Sequence, residues 1–421
     1  MDQTICFPES LTQTDGCVDV RWFWSPGDQP LSNVRLTLQN QRLMDIGCLP
    51  PEDRSNVLPL ICIPPLVNAH THLEFSGLRN PLHPPTPFPS WIEAVIAFRS
   101  QQLSSGVQAE VSIQNGLEEI ASAGVQAVGE ISTQRLDAES FSKTTTDFIL
   151  FREFIGLSTE RVQESLGVAK EFIASVRTAG IPNLRPGLSP HAPYSVCEEL
   201  FEGLVELARS VHVPLAMHLA ETREEIELLS SGTGPFQSFL QDRGLWRPAQ
   251  FPGGRRILPF FRSMARLQRS LAVHCNYLTK VEIEFLGGHP MIRVVYCPRT
   301  HRYFGHAEHP WKEIVRAGGV VLIGTDSRAS NPDLDLWKDW QLAAQDSDGV
   351  TDNQLLEMIT SSAAEVLGLD PIKYRQVAGE PWNATLIRIP EDHSDFRPAA
   401  LSPDSKVVAV VHDGVFRQTA N

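Results

Sequence analysis

Long apolar runs are missing from this 421-residue chain, and so is any excess of positive charge. No uninterrupted apolar stretch approaches the roughly 20 residues that a membrane-spanning helix needs. The formal net charge is -14, whereas nucleic-acid-binding proteins usually present a basic surface. The sequence therefore predicts a protein that neither spans a membrane nor binds nucleic acid.

Cysteine is also scarce, with seven residues scattered along the chain and no Cys-x-x-Cys pair. This usage is typical of reduced thiols and not of a disulfide framework. The first residues, Met1-Asp-Gln-Thr-Ile-Cys-Phe7, lack the basic start and apolar core of a secretory signal. We expect a cytoplasmic protein.

The chain contains a long alternation of apolar strand-like runs and amphipathic helical stretches. Such alternation indicates a parallel sheet with helices between its strands, and eight units indicate a closed (β/α)8 barrel of the TIM type, in the α/β class. The first of the eight predicted strands carries His70. The other seven are Val125–Ile131, Phe148–Phe154, Leu184–Pro190, Val213–Leu219, Ser270–His274, Met291–Tyr296 and Val320–Thr325.

Short strands separated by turns occupy both ends of the chain, and neither end is long enough to bury a core by itself. We predict that residues 1–60 and 380–421 combine into one small β-sandwich domain, and that residues 61–379 form the barrel. Within the barrel, the Ser-x-x-Glu pattern at Ser90–Glu93 predicts a capping box and a helix toward Gln102. Residues 232–269 are rich in Gly, Pro and Arg and poorly periodic, which indicates an insertion with one short helix.

The predicted strand ends carry a recurring kind of side chain. His70 and His72 stand two residues apart, so a strand presents both imidazoles on one face. Five of the eight predicted strands end in His or Asp. Besides the strand with His70 and His72, these are the strands that end at or next to His191, His218, His274 and Asp326. One histidine in such a place is more often a hydrogen-bonded structural residue. The whole set predicts an active site, because barrel enzymes place their chemistry at the carboxyl ends of the strands.

The sequence around these residues resembles the amidohydrolase superfamily, in its single-metal deaminase and chlorohydrolase branch. The resemblance rests on five motifs and covers nearly the whole chain. It implies a divalent metal held by His70, His72, His218 and Asp326, with Glu221 and His274 as catalytic groups. No lysine lies between Glu171 and Lys280, which excludes the two-metal form bridged by a carboxylated lysine. The motifs are Asn68-Ala-His-Thr-His72, Ser189-Pro-His-Ala-Pro-Tyr-Ser195, Met217-His-Leu-Ala-Glu-Thr222, Val273-His-Cys275 and Ile323-Gly-Thr-Asp-Ser327.

The chemistry of these side chains agrees with those roles. Three imidazoles and a carboxylate leave an open position on Zn²⁺, the first choice, and Fe²⁺ suits the same ligands. Glu221 would take a proton from the activated water and deliver it to the substrate, although a carboxylate at a helix start is also common. His274 would hydrogen-bond the nucleophile and the developing charge, and Asp326 would bind metal and help orient or deprotonate the water.

Substrate contacts are expected from six further residues near the strand ends, although each could be a structural or solvated side chain. They are His191, Glu74, Arg152, Arg299, His301 and Ser327.

Two segments indicate which members of this branch the chain resembles most. Glu74 follows the His70–His72 pair, and the seventh strand is followed by Cys297-Pro-Arg-Thr-His-Arg-Tyr-Phe-Gly-His306. Both are similar to the aminodeoxyfutalosine deaminases, whose substrate is an adenosine with a carboxylated aromatic tail. Arg299 or Arg302 could bind such a carboxylate bidentately, whereas Arg328 stands where a small or apolar residue is expected.

The resemblance thus implies hydrolytic deamination of an adenine-type nucleoside, with a small molecule as the partner and a homodimer as a compatible assembly. The alternatives are a methylthioadenosine or S-adenosylhomocysteine deaminase, a chlorohydrolase, a cyclic-amide hydrolase, or a catalytically silent barrel that only binds.

Overall fold

The computed structural model describes residues 15–105, 107–133, 138–391 and 393–419. Its strands form two sheets, one of eight strands and one of seven. The strands are β1 (Gly16–Phe23), β2 (Leu31–Gln39), β3 (Arg42–Cys48), β4 (Leu58–Ile63), β5 (Leu66–Thr71), β6 (Val125–Ser132), β7 (Asp147–Phe154), β8 (Leu184–Pro190), β9 (Leu215–Leu219), β10 (Ser270–His274), β11 (Ile292–Tyr296), β12 (Val320–Ile323), β13 (Ala384–Arg388), β14 (Lys406–His412) and β15 (Val415–Gln418).

Helices fill most of the connections between these strands. They are α1 (Phe88–Ser105), α2 (Val107–Ser122), α3 (Val162–Ala179), α4 (Glu198–Val211), α5 (Arg223–Ser231), α6 (Pro235–Asp242), α7 (Leu258–Met264), α8 (Lys280–Gly287), α9 (Pro298–Phe304), α10 (Trp311–Arg316), α11 (Leu336–Gln345), α12 (Asp352–Glu357), α13 (Ser361–Leu367) and α14 (Phe396–Leu401). None of the helices described combines the length and the apolar character needed to cross a membrane.

The strands β5 to β12 pair in sequence order, all parallel. The ring closes where the Asp326 N–H donates to the His70 carbonyl at 3.0 Å, beside a parallel bridge between Thr71 and Asp326. The eight predicted strands and the (β/α)8 barrel are therefore confirmed.

Alternate residues of each barrel strand point inward, as the two-residue period of a strand requires. On β7, Ile149 and Phe151 pack with the apolar residues of the barrel interior, whereas Phe148 and Leu150 pack in the larger core shared with the helices. By this alternation Glu153 belongs to the inward face and Arg152 to the other.

The second sheet joins strands from both ends of the chain, in the order β15-β14-β13-β4-β1-β2-β3. It is mixed, because β4 runs parallel to β1 and antiparallel to β13. Residues such as Val20, Leu36, Leu60 and Leu386 form an apolar cluster of its own. The composite β structure from both termini is confirmed, but β4 extends to Ile63, past the predicted boundary at residue 60.

Two local predictions were wrong. Helix α1 begins at Phe88, and the Ser90 N–H already donates to the Pro87 carbonyl at 3.0 Å, so Ser90 lies inside the first turn instead of capping it. The insertion contains two helices, α6 and α7, where one was predicted. Each of them buries a phenylalanine, Phe236 and Phe261, so packing stabilises turns that the irregular sequence pattern does not reveal.

Candidate active site and metal centre

Three histidines meet at the carboxyl ends of β5 and β9. One ring nitrogen each of His70, His72 and His218 lies within 4.8 Å of the other two. The Asp326 Oδ1 lies 3.6 Å from His70 Nε2 and 3.7 Å from His72 Nε2. All four side chains are buried, and no described residue hydrogen-bonds His70 Nε2. Converging imidazoles with an unpaired nitrogen and an adjacent carboxylate fit a divalent cation.

Burial favours the neutral form of His72 and His218, which is the form that a metal ligand needs. Burial, then the neighbouring His70 and His191, lowers the pKa of His218 to about 3. Burial and His70 also hold the pKa of His72 well below its usual value. His218 Nδ1 lies 3.1 Å from the His191 carbonyl, so Nδ1 carries the proton and the Nε2 lone pair is left for a metal.

A second group, Glu153, His191 and His218, also brings its ligand atoms within 4.8 Å of one another. Because His218 has only one lone pair, on Nε2, it cannot bind an ion in each group at once. Among the described residues, these two groups can therefore hold one ion through His218 and not two.

Glu221 and His274 lie beside this centre, with 3.5 Å between Glu221 Oε1 and His274 Nε2. Burial raises the pKa of Glu221 well above its ordinary value, and the charges of Asp326 and Glu225 act in the same direction. A cation held by the histidines would act in the opposite direction. A buried carboxyl group under these opposing influences is suited to taking up and releasing a proton.

The backbone at these strand ends is unusual. Ala220, His274, Cys275 and Asp326 all have positive φ, between 50° and 69°, in a region that residues other than glycine rarely adopt. Each lies at or just after the end of β9, β10 or β12. Strained backbone of this kind is typical of functional sites, where the surroundings hold it in place.

Three residues that the sequence reading did not single out support those turns. Glu225 accepts hydrogen bonds from the N–H groups of Ala220 and Glu221, at 2.8 and 2.9 Å. Asn276 donates to the Glu221 carbonyl at 2.8 Å. His309 Nε2 lies 2.6 Å from the His274 carbonyl. A sequence signal existed for Glu225, because Thr222-x-x-Glu225 has the spacing of a helix cap.

A cavity of about 470 Å³ opens from the metal centre. The insertion covers it, with Phe239, Leu245 and Arg247 in its wall, and exposed Arg161 and Arg247 mark the side that faces solvent. Its other walls are largely aromatic and apolar, from Phe75, Phe88, Trp91, Ile92, Leu157 and Tyr194.

Of the six predicted substrate contacts, only His191 and Ser327 line this cavity. Glu74 is buried behind it. Arg152 Nη1 donates to the Thr133 carbonyl at 2.6 Å, on the face of β7 that points away from the barrel interior.

Arg299 and His301 are also bonded elsewhere. Arg299 pairs with Asp333 and Asp339, at 2.6 and 2.8 Å, and His301 Nε2 lies 2.7 Å from the Ala307 carbonyl. Arg328 is turned away as well, since it donates to the Leu78 carbonyl and to Glu119, both at 2.8 Å.

Arg99 of α1 lines the cavity and was missed by the sequence analysis. Its Nη2 donates to Glu74 Oε1 at 2.8 Å and lies 3.7 Å from Glu153 Oε2. Its guanidinium carbon lies 5.3 Å from the centre of the Phe75 ring. Nothing in the sequence distinguishes an arginine that lines a cavity from one on the exposed face of a helix.

Comparison with known proteins identifies relatives of this chain by sequence and by fold. The chain is 28% identical over 337 residues to an aminodeoxyfutalosine deaminase of Deinococcus radiodurans, covering 76% of each chain. It is 27% identical over 361 residues to a 5-methylthioadenosine/S-adenosylhomocysteine deaminase of Moorella thermoacetica, covering 79% of this chain and 74% of the relative. The fold matches the Helicobacter pylori aminofutalosine deaminase in complex with methylthio-coformycin, with a TM-score of 0.77, 18% identity, and 95% of this chain and 99% of the other covered. The sequence profile of the amidohydrolase family matches residues 61–416, and the chain belongs to that family.

Proposed function

We propose that this protein is a metal-dependent aminohydrolase that deaminates an adenine-type nucleoside. The observation that carries the proposal is the placement of buried Glu221 and His274 beside the three-histidine and aspartate cluster, at one end of a single cavity. A cavity of about 470 Å³ lies within the usual range for small-molecule sites. The nucleoside deaminases among its relatives support the same choice.

His70, His72, His218 and Asp326 would hold the metal. A bound divalent cation, for which Zn²⁺ is the first choice and Fe²⁺ an alternative, supplies a water activated for attack at neutral pH.

The side chains of this chain would then move the protons. Water oxygen adds to the ring carbon that bears the amino group, and the amine leaves as ammonia, so the product carries an oxo group there. Glu221 accepts one proton of the attacking water and delivers it to the ring nitrogen. The second water proton, taken from the new hydroxyl group by the same carboxylate, goes to the amine, which leaves as ammonia. His274, which burial keeps neutral by lowering its pKa, hydrogen-bonds the charge that develops at the reacting carbon.

A narrower form of the proposal names aminodeoxyfutalosine as the substrate. A cavity with aromatic walls suits its aromatic tail, and three rim arginines of the lining, Arg161, Arg243 and Arg247, could bind the tail carboxylate. They replace Arg299, which is paired with two aspartates and does not line the cavity. Methylthioadenosine is the second candidate, supported by the methylthioadenosine-type relative.

The first test is Glu221→Gln in the zinc-loaded protein. We expect it to keep its metal and to lose at least about a thousandfold in kcat for ammonia release, since the proton shuttle is gone. The screen contains aminodeoxyfutalosine, methylthioadenosine and adenosine. Glu199→Gln, the same change on an exposed face of α4, is the matched control.

Full activity in Glu221→Gln with normal metal content would refute the proton role. Chloride release from a triazine, or a ring-opened acid from a cyclic amide, with no ammonia from any nucleoside, would refute deamination itself.

A further inference from the structure

Arg99 is held in place from behind by two carboxylates. Glu74 Oε1 accepts from its Nη2 at 2.8 Å, and Glu153 Oε2 lies 3.7 Å away. The second Glu74 oxygen accepts from Thr133 Oγ1 at 2.9 Å. Both carboxylates are buried, with side-chain exposures of 9% and 1%. A guanidinium fixed in this way keeps one orientation and loses little rotamer entropy when a ligand binds.

Arg99 lines the cavity, and part of its guanidinium group has no partner among the described residues. No described residue accepts a hydrogen bond from its Nη1, and the side chain stays 21% exposed, among the residues that line the cavity. The other oxygen of Glu153, Oε1, lies 3.9 Å from His191 Nε2, so Arg99 and its carboxylates lie next to the residues of the site. This donor is therefore available to a bound molecule next to the metal centre.

The local charge decides what kind of acceptor fits. Arg99 contributes one positive charge, and Glu74 and Glu153 contribute two negative ones, so the trio carries a formal charge of -1. A third carboxylate on Arg99 would meet two negative charges within a few ångströms in a buried place, where repulsion is poorly screened. A neutral oxygen or ring nitrogen meets no such penalty.

We propose that Arg99 is a substrate-binding residue that donates a hydrogen bond to a neutral acceptor of the nucleoside, and that Glu74 and Glu153 are its positioning residues. This inference rests on the proposed function and deepens it, since it separates recognition of the nucleoside body by Arg99 from recognition of an anionic tail by the rim arginines. It also gives Glu74, expected from the sequence to touch substrate directly, a role that acts through Arg99.

The test compares two adenine nucleosides, one with a tail that ends in a carboxylate and one with the methyl ester of that tail. In the holoenzyme, Arg99→Lys keeps the charge between the two carboxylates but loses the forked geometry. We expect kcat/KM to fall by roughly 10- to 150-fold, the range for a lost hydrogen bond to a charged group, and by the same factor for both nucleosides. Arg209→Lys, on the exposed surface of α4, is the control.

Glu74→Gln provides a readout that a purely structural role would not move. The change weakens the hold on the guanidinium but leaves the rim arginines in place, so KM should rise by the same factor for both nucleosides while kcat changes little. In Glu74→Gln, as in Arg99→Lys, the ratio of kcat/KM for the two nucleosides should stay constant.

Two results would overturn the inference. One is an Arg99→Lys protein that loses activity only on the carboxylate nucleoside, which would place the tail on Arg99. The other is unchanged kinetics on both. If the wild type releases no ammonia, the proposed function fails, and calorimetric titration with inosine still tests Arg99, because Arg99→Lys should weaken that binding by the same factor.

Discussion

At the residue scale, the backbone around His274 is the clearest example of strain offset by specific partners. His274 and Cys275 have φ of 69° and 55°, and such conformations cost on the order of 1–3 kcal/mol each outside glycine. The Cys275 N–H donates to the Leu219 carbonyl at 2.9 Å, and His309 donates to the His274 carbonyl at 2.6 Å. These bonds hold the imidazole of His274 toward Glu221.

His309→Leu should therefore impair catalysis without touching the site directly. We expect kcat to fall by roughly 10-fold or more with little change in KM, because the loss of a buried donor to the His274 carbonyl, worth about 1–3 kcal/mol, lets the catalytic ring shift. His309→Gln, whose amide N–H can replace Nε2–H, should recover most of the rate. Steady-state kinetics with metal analysis measures both, and equal rates in the Leu and Gln variants would contradict this role.

The residues of the candidate metal site were predictable because they stand in short motifs at strand ends. Substrate contacts farther from these residues were not predictable. The prediction of Arg152 as a substrate contact was off by one residue. Ile149 and Phe151 face the barrel interior, so the two-residue period of the strand puts Glu153, and not Arg152, on that face. Arg299 was attractive for its charge, but the sequence does not show that Asp333 and Asp339, more than 30 residues later, fold back onto it.

At the scale of elements, α6 is the piece that turns an open barrel end into a cavity. Phe236 is fully buried and stacks on Tyr194 with ring centres 4.1 Å apart, and it meets Phe88 of α1 edge-on at 6.2 Å. These rings fix the helix over the site, while Phe239 and Leu240 of the same helix form part of the cavity wall.

Phe236→Ala should loosen this cover. Large-to-small changes of this kind cost about 3–5 kcal/mol, and here we expect local opening of α6 to accompany the loss, with faster proteolysis between residues 232 and 257 and a raised KM. Limited proteolysis and urea unfolding test this. Phe260→Ala on α7, which is only partly buried and away from the cavity, is the control. Identical cleavage rates in the two variants would show that α6 is not held by Phe236.

In the sequence, only the residues that border α6 indicate that a helix is present. Gly232 ends α5 in the left-handed conformation, and Pro235 occupies the first turn of α6, a pattern that helix statistics recognise. The eight residues between Pro235 and Asp242 are too few for a periodic apolar stripe, so the packing of Phe236 determines the helix and the sequence pattern does not.

At the scale of the whole molecule, buried neutral histidines make stability depend on pH. Burial lowers the pKa of His191, His218 and His309 to about 3 in the folded protein, while unfolded histidine titrates near 6.5. Below that value the unfolded chain binds more protons, so their contribution is complete above about pH 6.5 and is lost as the pH falls toward 3.

Each such histidine should cost up to about 1.4 kcal/mol per pH unit in that interval. We expect the free energy of unfolding of the metal-free protein to fall between pH 6.5 and 4.5 by less than the sum of these shares, because the buried carboxyl groups of Glu221 and Glu225 have raised pKa values and act in the opposite direction. Urea titrations at half-unit intervals measure the slope, and His309→Gln should lower it by the contribution of one histidine. An unchanged slope in His309→Gln would rule the explanation out.

The architecture was the most predictable level, because eight alternations of strand and helix leave few other ways to bury the apolar faces. The domain division at residues 60 and 380 stays a proposal. What the sequence pattern could not place is β4, whose partners are β1 near the start of the chain and β13 near its end. Local periodicity says nothing about pairing over such a distance.

The position of β4 also has a consequence for the order in which the protein assembles. Through Pro64 and Pro65 this strand continues into β5, which carries His70 and His72, and one of its edges is covered only by β13. While the chain is still being synthesised, that edge stays bare until residue 388 has left the ribosome. A chain that ends before residue 384 would therefore present an unpaired, aggregation-prone edge at Leu60–Ile63, directly before the strand that carries His70 and His72.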